Sequence, residues 1–114
     1  MATIKSYTDI EQSKKLAEIL PLESADYCWG IDVKTLHYNS SPYPCAWKDY
    51  SCKEYYIPCW SLAALLDVLP SAALDSSNDH HYRLYCMERF TEWYDNAVDA
   101  CYEMIIKLKE KNLL

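Results

Sequence analysis

Glycine is almost absent from this sequence, with Gly30 alone among 114 residues. Average usage of about 7% would give roughly eight glycines in a chain of this length. Glycine-rich phosphate loops need several glycines, so the common nucleotide-binding architectures are excluded. Backbone sites of positive φ must then fall on Asn or Asp, and we expect them at positions such as Asn39, Asn78 or Asn112.

Basic residues are also few. The chain has 11 Lys and Arg against 17 Asp and Glu, which gives a formal net charge of −6. The basic residues are scattered, apart from one group at Lys107, Lys109 and Lys111. A nucleic-acid-binding face needs clustered basic residues that displace counterions from phosphates. We therefore expect no nucleic-acid partner.

Long hydrophobic runs are missing as well. The longest mostly apolar stretch, residues 57–66, is about half the length that a membrane span requires. The first residues contain no apolar region of the kind found in signal peptides. These features predict a cytoplasmic protein with no membrane partner, in which the six cysteines are reduced thiols.

The residues that are present predict one α+β domain over residues 1–114. The hydrophobic share of 51% is enough for a core of its own. The expected order is helix, strand, loop, short strand, helix, strand or hairpin, and helix. We expect a small, mostly antiparallel sheet with about three helices packed on one face.

Three segments have the spacing and capping residues of helices. Thr8, with Glu11 three residues later, predicts the start of the first helix, and Pro21 predicts its end. The second is capped by Ser61 and the third by Asp95 or Asn96. The predicted buried stripes of the last two helices are Leu62, Leu65, Leu66 and Leu69, and then Val98, Cys101, Tyr102, Ile105 and Leu108.

The strand predictions are less uniform. Residues 27–38 alternate as a strand, with Trp29, Ile31, Val33 and Thr35 on one face, and Gly30 within it suggests a bulge or a close backbone approach. Residues 55–57 suggest a short strand, and residues 71–79 an exposed, mobile loop. Residues 81–94 fit either a hairpin or one long bent strand.

Three stretches together resemble a known family. They are residues 10–16 with 24–26, residues 57–66 and residues 99–106. Their order and content resemble an uncharacterised family of small proteins from gut anaerobic bacteria, often encoded in prophages and other mobile elements. The resemblance implies a biological setting, and it implies no catalytic residue, metal or cofactor.

Cysteine and histidine residues suggest two chemical alternatives. Cys45, Cys52 and Cys59 are seven residues apart, and one of His37, His80 and His81 could complete a zinc site, although the close cysteine pair of structural zinc sites is missing. Cys59 also precedes a predicted helix, whose N-terminus would lower its pKa and favour a nucleophilic thiol. A small zinc-binding or thiol-dependent enzyme is therefore the alternative function, whereas packed thiols without metal or cofactor are the main expectation.

The aromatic residues give the clearest indication of function. The chain has 11 tyrosines and four tryptophans, more than a small core comfortably holds. Tyrosine and tryptophan are enriched in protein interfaces, although these rings could instead cover a sheet face within the monomer. Trp93 and Tyr94 belong to this surplus, and the predicted interaction surface consists of Tyr43, Trp47, Tyr50, Tyr55, Tyr56 and Trp60. The sequence thus predicts a non-enzymatic interaction or regulatory accessory protein that binds a protein partner, with a homodimer as one arrangement.

Overall fold

The structure is a computed structural model that describes residues 5–32, 34–44 and 56–114. The elements in chain order are α1 (Ile10–Ile19), a short 3-10 helix (Leu22–Ser24), β1 (Tyr27–Gly30), β2 (Tyr43–Pro44), β3 (Tyr56–Cys59), α2 (Leu62–Val68), β4 (Ala73–Ser76), β5 (Tyr82–Cys86), β6 (Arg89–Phe90) and α3 (Ala97–Glu110). The predicted α+β class with three helices and antiparallel strands is confirmed. Within the described ranges the strands form two three-stranded sheets, where we expected a single sheet.

The first sheet has β1 at its centre, between β2 and β3. Tyr27 lies opposite Cys59, and Gly30 lies opposite Tyr56. Both outer strands contain a proline, which fits the edges of a sheet because proline has no N–H to donate. The central strand β1 ends at Gly30, whereas the predicted strand covered residues 27–38. Beyond β1, Ile31 pairs with Tyr38 in an isolated bridge.

The buried face of β1 is not the one on which the alternation groups Trp29 and Ile31. Cys28 is fully buried, whereas Trp29 is only half-buried. The Trp29 indole donates a hydrogen bond from Nε1 to the Thr8 carbonyl oxygen at 3.1 Å. The small Cys28 thiol takes the interior position, and the Trp29 ring lies at the margin of the core with its N–H paired.

Gly30 allows a close approach and forms no bulge. The register from Tyr27 to Gly30 runs without interruption against β3. A Cβ atom at position 30 would lie 2.8 Å from Tyr43 Oη and 2.9 Å from Asn39 Nδ2. The expected close approach is therefore real, but it comes from two side chains.

The second sheet has β5 at its centre, between β4 and β6. The loop expected over residues 71–79 is wrong at Ala73–Ser76, which pairs with β5 from Ala73 opposite Tyr85 to Ser76 opposite Tyr82, whereas the expected exposure holds for most of the segment. These residues have little strand preference of their own. Their conformation depends on the hydrogen bonds that a neighbouring strand offers, which local sequence does not reveal.

Residues 82–90 form the hairpin, and the bent-strand alternative is wrong. The two turn residues, Met87 and Glu88, have φ values of 51° and 64°. Positive φ at both central residues is typical of the tight hairpin turn that matches the twist of antiparallel strands. Over residues 5–32, 34–44 and 56–114, the other non-glycine residues with positive φ are Leu36, Ser71, His80 and Asn112, so the expectation holds for Asn112 and fails for Asn39 and Asn78.

The helix caps were predicted to within one residue. Asp9, rather than Thr8, caps α1: its Oδ1 accepts from Gln12 N at 2.8 Å, and Gln12 Oε1 accepts from Asp9 N at 3.1 Å. Ser61 caps α2 as predicted. Of the two alternatives for α3, Asn96 is the cap.

The helices join the two sheets through one core. α1 packs against β3, while α3 packs against both β5 and α2. The predicted stripes are confirmed at Leu65 and Leu69 and at most positions of α3, but Leu62, Leu66 and Tyr102 are only half-buried. Met104, absent from the prediction, is fully buried. The largest fully buried side chains are Trp60, Leu16, Leu65, Leu84, Met104, Ile105 and Leu108.

Asp99 connects the N-terminal segment and α1 to α3. Its carboxylate accepts hydrogen bonds from Lys5 Nζ at 2.8 Å, Gln12 Nε2 at 2.8 Å and Asn96 Nδ2 at 2.9 Å. Burial alone would raise the pKa of Asp99, but these hydrogen bonds and the Lys5 charge hold it below its usual value of 3.8. The negative charge also lies in the first turn of α3, next to the positive end of the helix dipole.

We expect Asp99→Asn to lower the free energy of unfolding by about 1 kcal/mol at pH 7, less than for a fully buried ionic hydrogen bond because the carboxylate is partly exposed. A carboxylate with a lowered folded-state pKa stabilises the protein above pH 3.8, and this contribution disappears as pH falls through the folded-state pKa. The difference between wild type and variant should therefore shrink at pH 3, as measured by urea unfolding. Asp67→Asn, an exposed acid on α2, is the matched control. An equal difference at both pH values would contradict the role of the ionised carboxylate.

Candidate functional site on the second sheet

Cys59 lies in a buried network and not at a reactive site. The Cys59 thiol donates to the Thr8 carbonyl oxygen at 3.5 Å, and Thr8 Oγ1 lies 2.7 Å from Ser13 Oγ. Burial raises the pKa of Cys59 to about 11, although hydrogen bonds from Thr8 and Ser13 oppose the shift. The expected lowering of the Cys59 pKa is wrong, because burial, the largest cause of the shift, removes water from around the thiolate and raises the pKa.

Trp60 belongs to the core. Its side chain is completely buried, and Nε1 donates to Ser24 Oγ at 3.0 Å. Next to it, Asp26 accepts hydrogen bonds from the backbone N–H and the hydroxyl of Ser61. Among the described side chains, no buried nitrogen or oxygen lacks a hydrogen-bond partner. This junction therefore holds the fold together, and Trp60 takes no part in an exposed surface of this chain.

The other predicted interaction residues divide into two groups. Trp47, Tyr50 and Tyr55 lie outside the described residues. Tyr43 and Tyr56 are half-buried in the first sheet, with ring centroids 6.3 Å apart and the rings nearly perpendicular. Burial, together with hydrogen bonds to Cys28 and Tyr56, raises the pKa of Tyr43. These two rings contact each other and are only partly accessible to a partner.

Some of the proposed zinc ligands lie within the described residues and others lie outside them. Cys45 and Cys52 lie outside the described residues, and the three histidines, His37, His80 and His81, are exposed. In the part of the chain that the structure describes, no group of three or more His, Cys, Asp or Glu side chains could hold a metal ion. Cys59 hydrogen-bonds to Thr8 and not to a histidine.

The second sheet has one buried face and one outer face. Along β5, Leu84 and Cys86 are buried against the core, so Arg83 and Tyr85 point the other way. Residues directly opposite on neighbouring antiparallel strands share a face. Asp75 lies opposite Arg83, and Ala73 and Phe90 lie opposite Tyr85 on either side. With Trp93, which stacks on Arg83, we define the outer face as Ala73, Asp75, Arg83, Tyr85, Phe90 and Trp93.

Arg83 is held between two aromatic rings on this outer face. Its guanidinium carbon lies 4.2 Å from the Phe90 ring centroid and 4.6 Å from the Trp93 ring centroid. Arg83 Nε donates to Asp75 Oδ2 at 3.2 Å. Tyr85 packs on Phe90 at a centroid distance of 4.7 Å. The arginine is therefore fixed by ring faces and by a carboxylate before any partner binds.

The rings that hold Arg83 are themselves accessible. Phe90 is 48% exposed and Trp93 is 46% exposed. Single exposed apolar residues are ordinary on a protein surface, but several large ones in contact mark an interaction site. Aromatic and arginine side chains also supply much of the binding energy in protein interfaces. Within the described residues, the outer face is the strongest candidate for a binding surface.

A groove near α1 and α2 is a weaker candidate. It has a volume of about 530 Å³ and is lined by Ile19, Leu20, Pro21, Ser24, Asp67, Val68, Lys109 and Leu114. Ser24 is already engaged by Trp60 and by the Pro21 carbonyl oxygen. Asp67 and Lys109 supply the charged side chains of its lining, and none of the lining residues named here is aromatic.

Sequence reasoning identified Trp93 as part of the aromatic surplus but missed Arg83, Phe90 and Asp75. The available signal was the alternation along β5, which places Arg83 and Tyr85 on the face opposite Leu84. What the sequence lacked was the register of β4 and β6. Only that register places Asp75 and Phe90 beside the arginine.

Comparisons with protein-family models, with curated proteins and with solved structures found no match for this chain. The resemblance to the gut-bacterial family thus stays a prediction. Over the described residues, no helix combines the length and apolar character that a membrane crossing requires.

We expect the stacking of Arg83 to be measurable as a coupling free energy. Each cation–π contact at an exposed site contributes about 0.5–1 kcal/mol. In a double-mutant cycle of Arg83→Ala and Trp93→Ala, followed by urea unfolding, the two changes should be non-additive by about that amount. Arg89→Ala with Trp93→Ala is the control cycle, since Arg89 donates to the Met87 carbonyl oxygen instead. Additive effects of Arg83→Ala and Trp93→Ala would contradict the stacking.

Cys59 should be inert toward thiol reagents in the folded protein. A fully buried thiol with a pKa near 11 is protonated and shielded at pH 7. Titration with a disulfide reagent should find equal numbers of fast-reacting thiols in native wild type and native Cys59→Ser. In denaturant the variant should show one thiol fewer. One fast thiol fewer in the native variant would show that Cys59 is reactive after all.

Proposed function

We propose that this protein functions without catalysis, by binding a protein partner through the outer face of its second sheet. The observation that supports the proposal is the Arg83 guanidinium, held between the half-exposed rings of Phe90 and Trp93. This arrangement lies on a sheet whose other face is already packed on the core.

The geometry lowers the entropic cost of binding. A free arginine side chain would lose about 0.5–1.5 kcal/mol of conformational entropy when a partner immobilises it. Here the Asp75 carboxylate and the two rings already restrict the side chain. The N–H groups at the edge of the guanidinium can then meet acceptors of the partner, while the half-exposed Phe90 and Trp93 rings supply the apolar area.

The alternative function, a zinc-binding or thiol-dependent enzyme, has less support. Its nucleophile candidate, Cys59, is buried with a raised pKa. Its remaining cysteines, Cys45 and Cys52, lie outside the described residues. The predicted setting in mobile elements of gut bacteria depends on sequence resemblance alone, and the proposed binding surface does not require it.

Affinity purification from the native host tests the proposal. Tagged wild type should retain specific proteins, copies of the chain included, that a Phe90→Ser/Trp93→Ser variant retains at least about tenfold less, as expected when hot-spot rings are removed. Quantitative mass spectrometry gives the ratio, and circular dichroism verifies that both proteins fold.

The control is Leu36→Ser, which removes an exposed apolar side chain, 77% accessible, from the first-sheet side of the chain. The control should retain the same proteins as wild type. If the Phe90→Ser/Trp93→Ser variant retains them equally well, or if wild type retains none, the proposed function is wrong.

A further inference from the structure

We infer that the partner on the outer face is a second copy of this chain, related to the first by a two-fold axis that runs parallel to the strands of the second sheet. The inference rests on the proposed function, because it names the occupant of that same face. It is argued from the shape and the charge of the outer face.

The outer face has large side chains along one edge and small side chains along the other. Phe90 and Trp93 lie on the β6 side of the face, whereas Ala73 and Asp75 lie on the β4 side. Two sheets packed face to face are about 10 Å apart, a space that side chains of both must fill together. A two-fold axis parallel to the strands places β6 of each copy over β4 of the other. The rings of one copy then lie over the small Ala73 side of its partner.

The charges on the outer face are complementary under the same symmetry. A two-fold interface brings one patch against itself, so each charged group must find its opposite within that patch. Arg83 uses Nε for its own Asp75, and its two Nη groups have no hydrogen-bond partner among the residues that the structure describes. The guanidinium carbon lies 4.2 Å from the Phe90 ring centroid and 4.6 Å from the Trp93 ring centroid, and both rings are on the β6 side of the outer face. The second copy places its own Asp75 over this β6 side. Each carboxylate can then accept from both arginines.

Charge repulsion between two copies does not oppose contact through the outer face. The chain has a formal charge of −6. Arg83 offsets Asp75, so the outer face itself carries no net charge and the whole excess of acid lies elsewhere. Burying this neutral, ring-rich face therefore removes apolar area from water without bringing unpaired carboxylates together.

Sedimentation equilibrium of the pure chain tests the inference. The chain has a mass of 13.3 kDa, and we expect the measured mass to rise toward twice that value as concentration increases to about 1 mM, the weak end of specific association. Ala73→Arg should raise the dimer dissociation constant at least tenfold, because its side chain fills the space that the partner's rings require. Ala63→Arg, an exposed alanine on α2, is the matched control and should leave the constant unchanged.

Charge reversal gives a second, independent readout. Asp75→Arg alone and Arg83→Asp alone should each weaken self-association at least tenfold, since each places like charges across the interface. An equimolar mixture of the two variants should dimerise again, because every arginine then faces a carboxylate of the other chain. A purely structural role for these residues within one chain predicts no recovery on mixing.

Two results overturn the inference. One is wild type that stays at 13.3 kDa at every concentration. The other is a dimer that Ala73→Arg and the charge reversals leave intact, since that dimer must use another surface. In either case the affinity purification decides separately whether Phe90 and Trp93 bind a different protein, so the two proposals fail independently.

Discussion

The pairing of Thr8 with Trp60 is the contact on which the arrangement of the fold depends. Thr8 N donates to the Trp60 carbonyl oxygen at 3.0 Å, and Trp60 N donates to Thr8 Oγ1 at 3.1 Å. These bonds hold the segment before α1 against the end of β3, where α2 is about to begin. Because no buried side-chain nitrogen or oxygen in the described ranges lacks a hydrogen-bond partner, the junction can be polar and still lie within the core. It explains why Thr8, the predicted cap, is unavailable and the cap moves to Asp9.

The same packing that buries one face of the second sheet leaves its other face open. α3 packs against β5, and Leu84 and Cys86 lie in the same buried cluster as Met104 and Ile105, so the alternation along β5 sends Arg83 and Tyr85 outward. On that side no described helix packs on the strands. Rings that would otherwise be an aggregation hazard are instead organised around a cation and its carboxylate. The difference between the two faces therefore comes from where α3 docks, not from hydrophobicity along the strand.

Cys59 illustrates how burial and local electrostatics compete. Its place before α2 favours a thiolate, and the stabilising effect of a helix end is about 0.3–1 kcal/mol for a surface group. Removal of water from a thiolate costs more than this, so the pKa rises to about 11. The cysteine thus acts as a small hydrophobic residue with one hydrogen bond to Thr8. A position that looks reactive along the chain is inert once neighbouring elements cover it.

The sequence by itself determined the local features: three helices, the Ser61 cap, a cap at Asp95 or Asn96, and most of the buried stripe from Val98 to Leu108. Each depends on residues within about one turn of each other, so local patterns suffice to predict it. Tertiary structure decided the rest. Three features depend on how segments distant in sequence pair and pack. They are the strand at residues 73–76, the burial of Trp60 and the packing of the Phe90 and Trp93 rings on Arg83. Hydrogen bonds between strands and the exclusion of water act on whichever surfaces meet in the folded chain, and a linear pattern does not specify which surfaces those are.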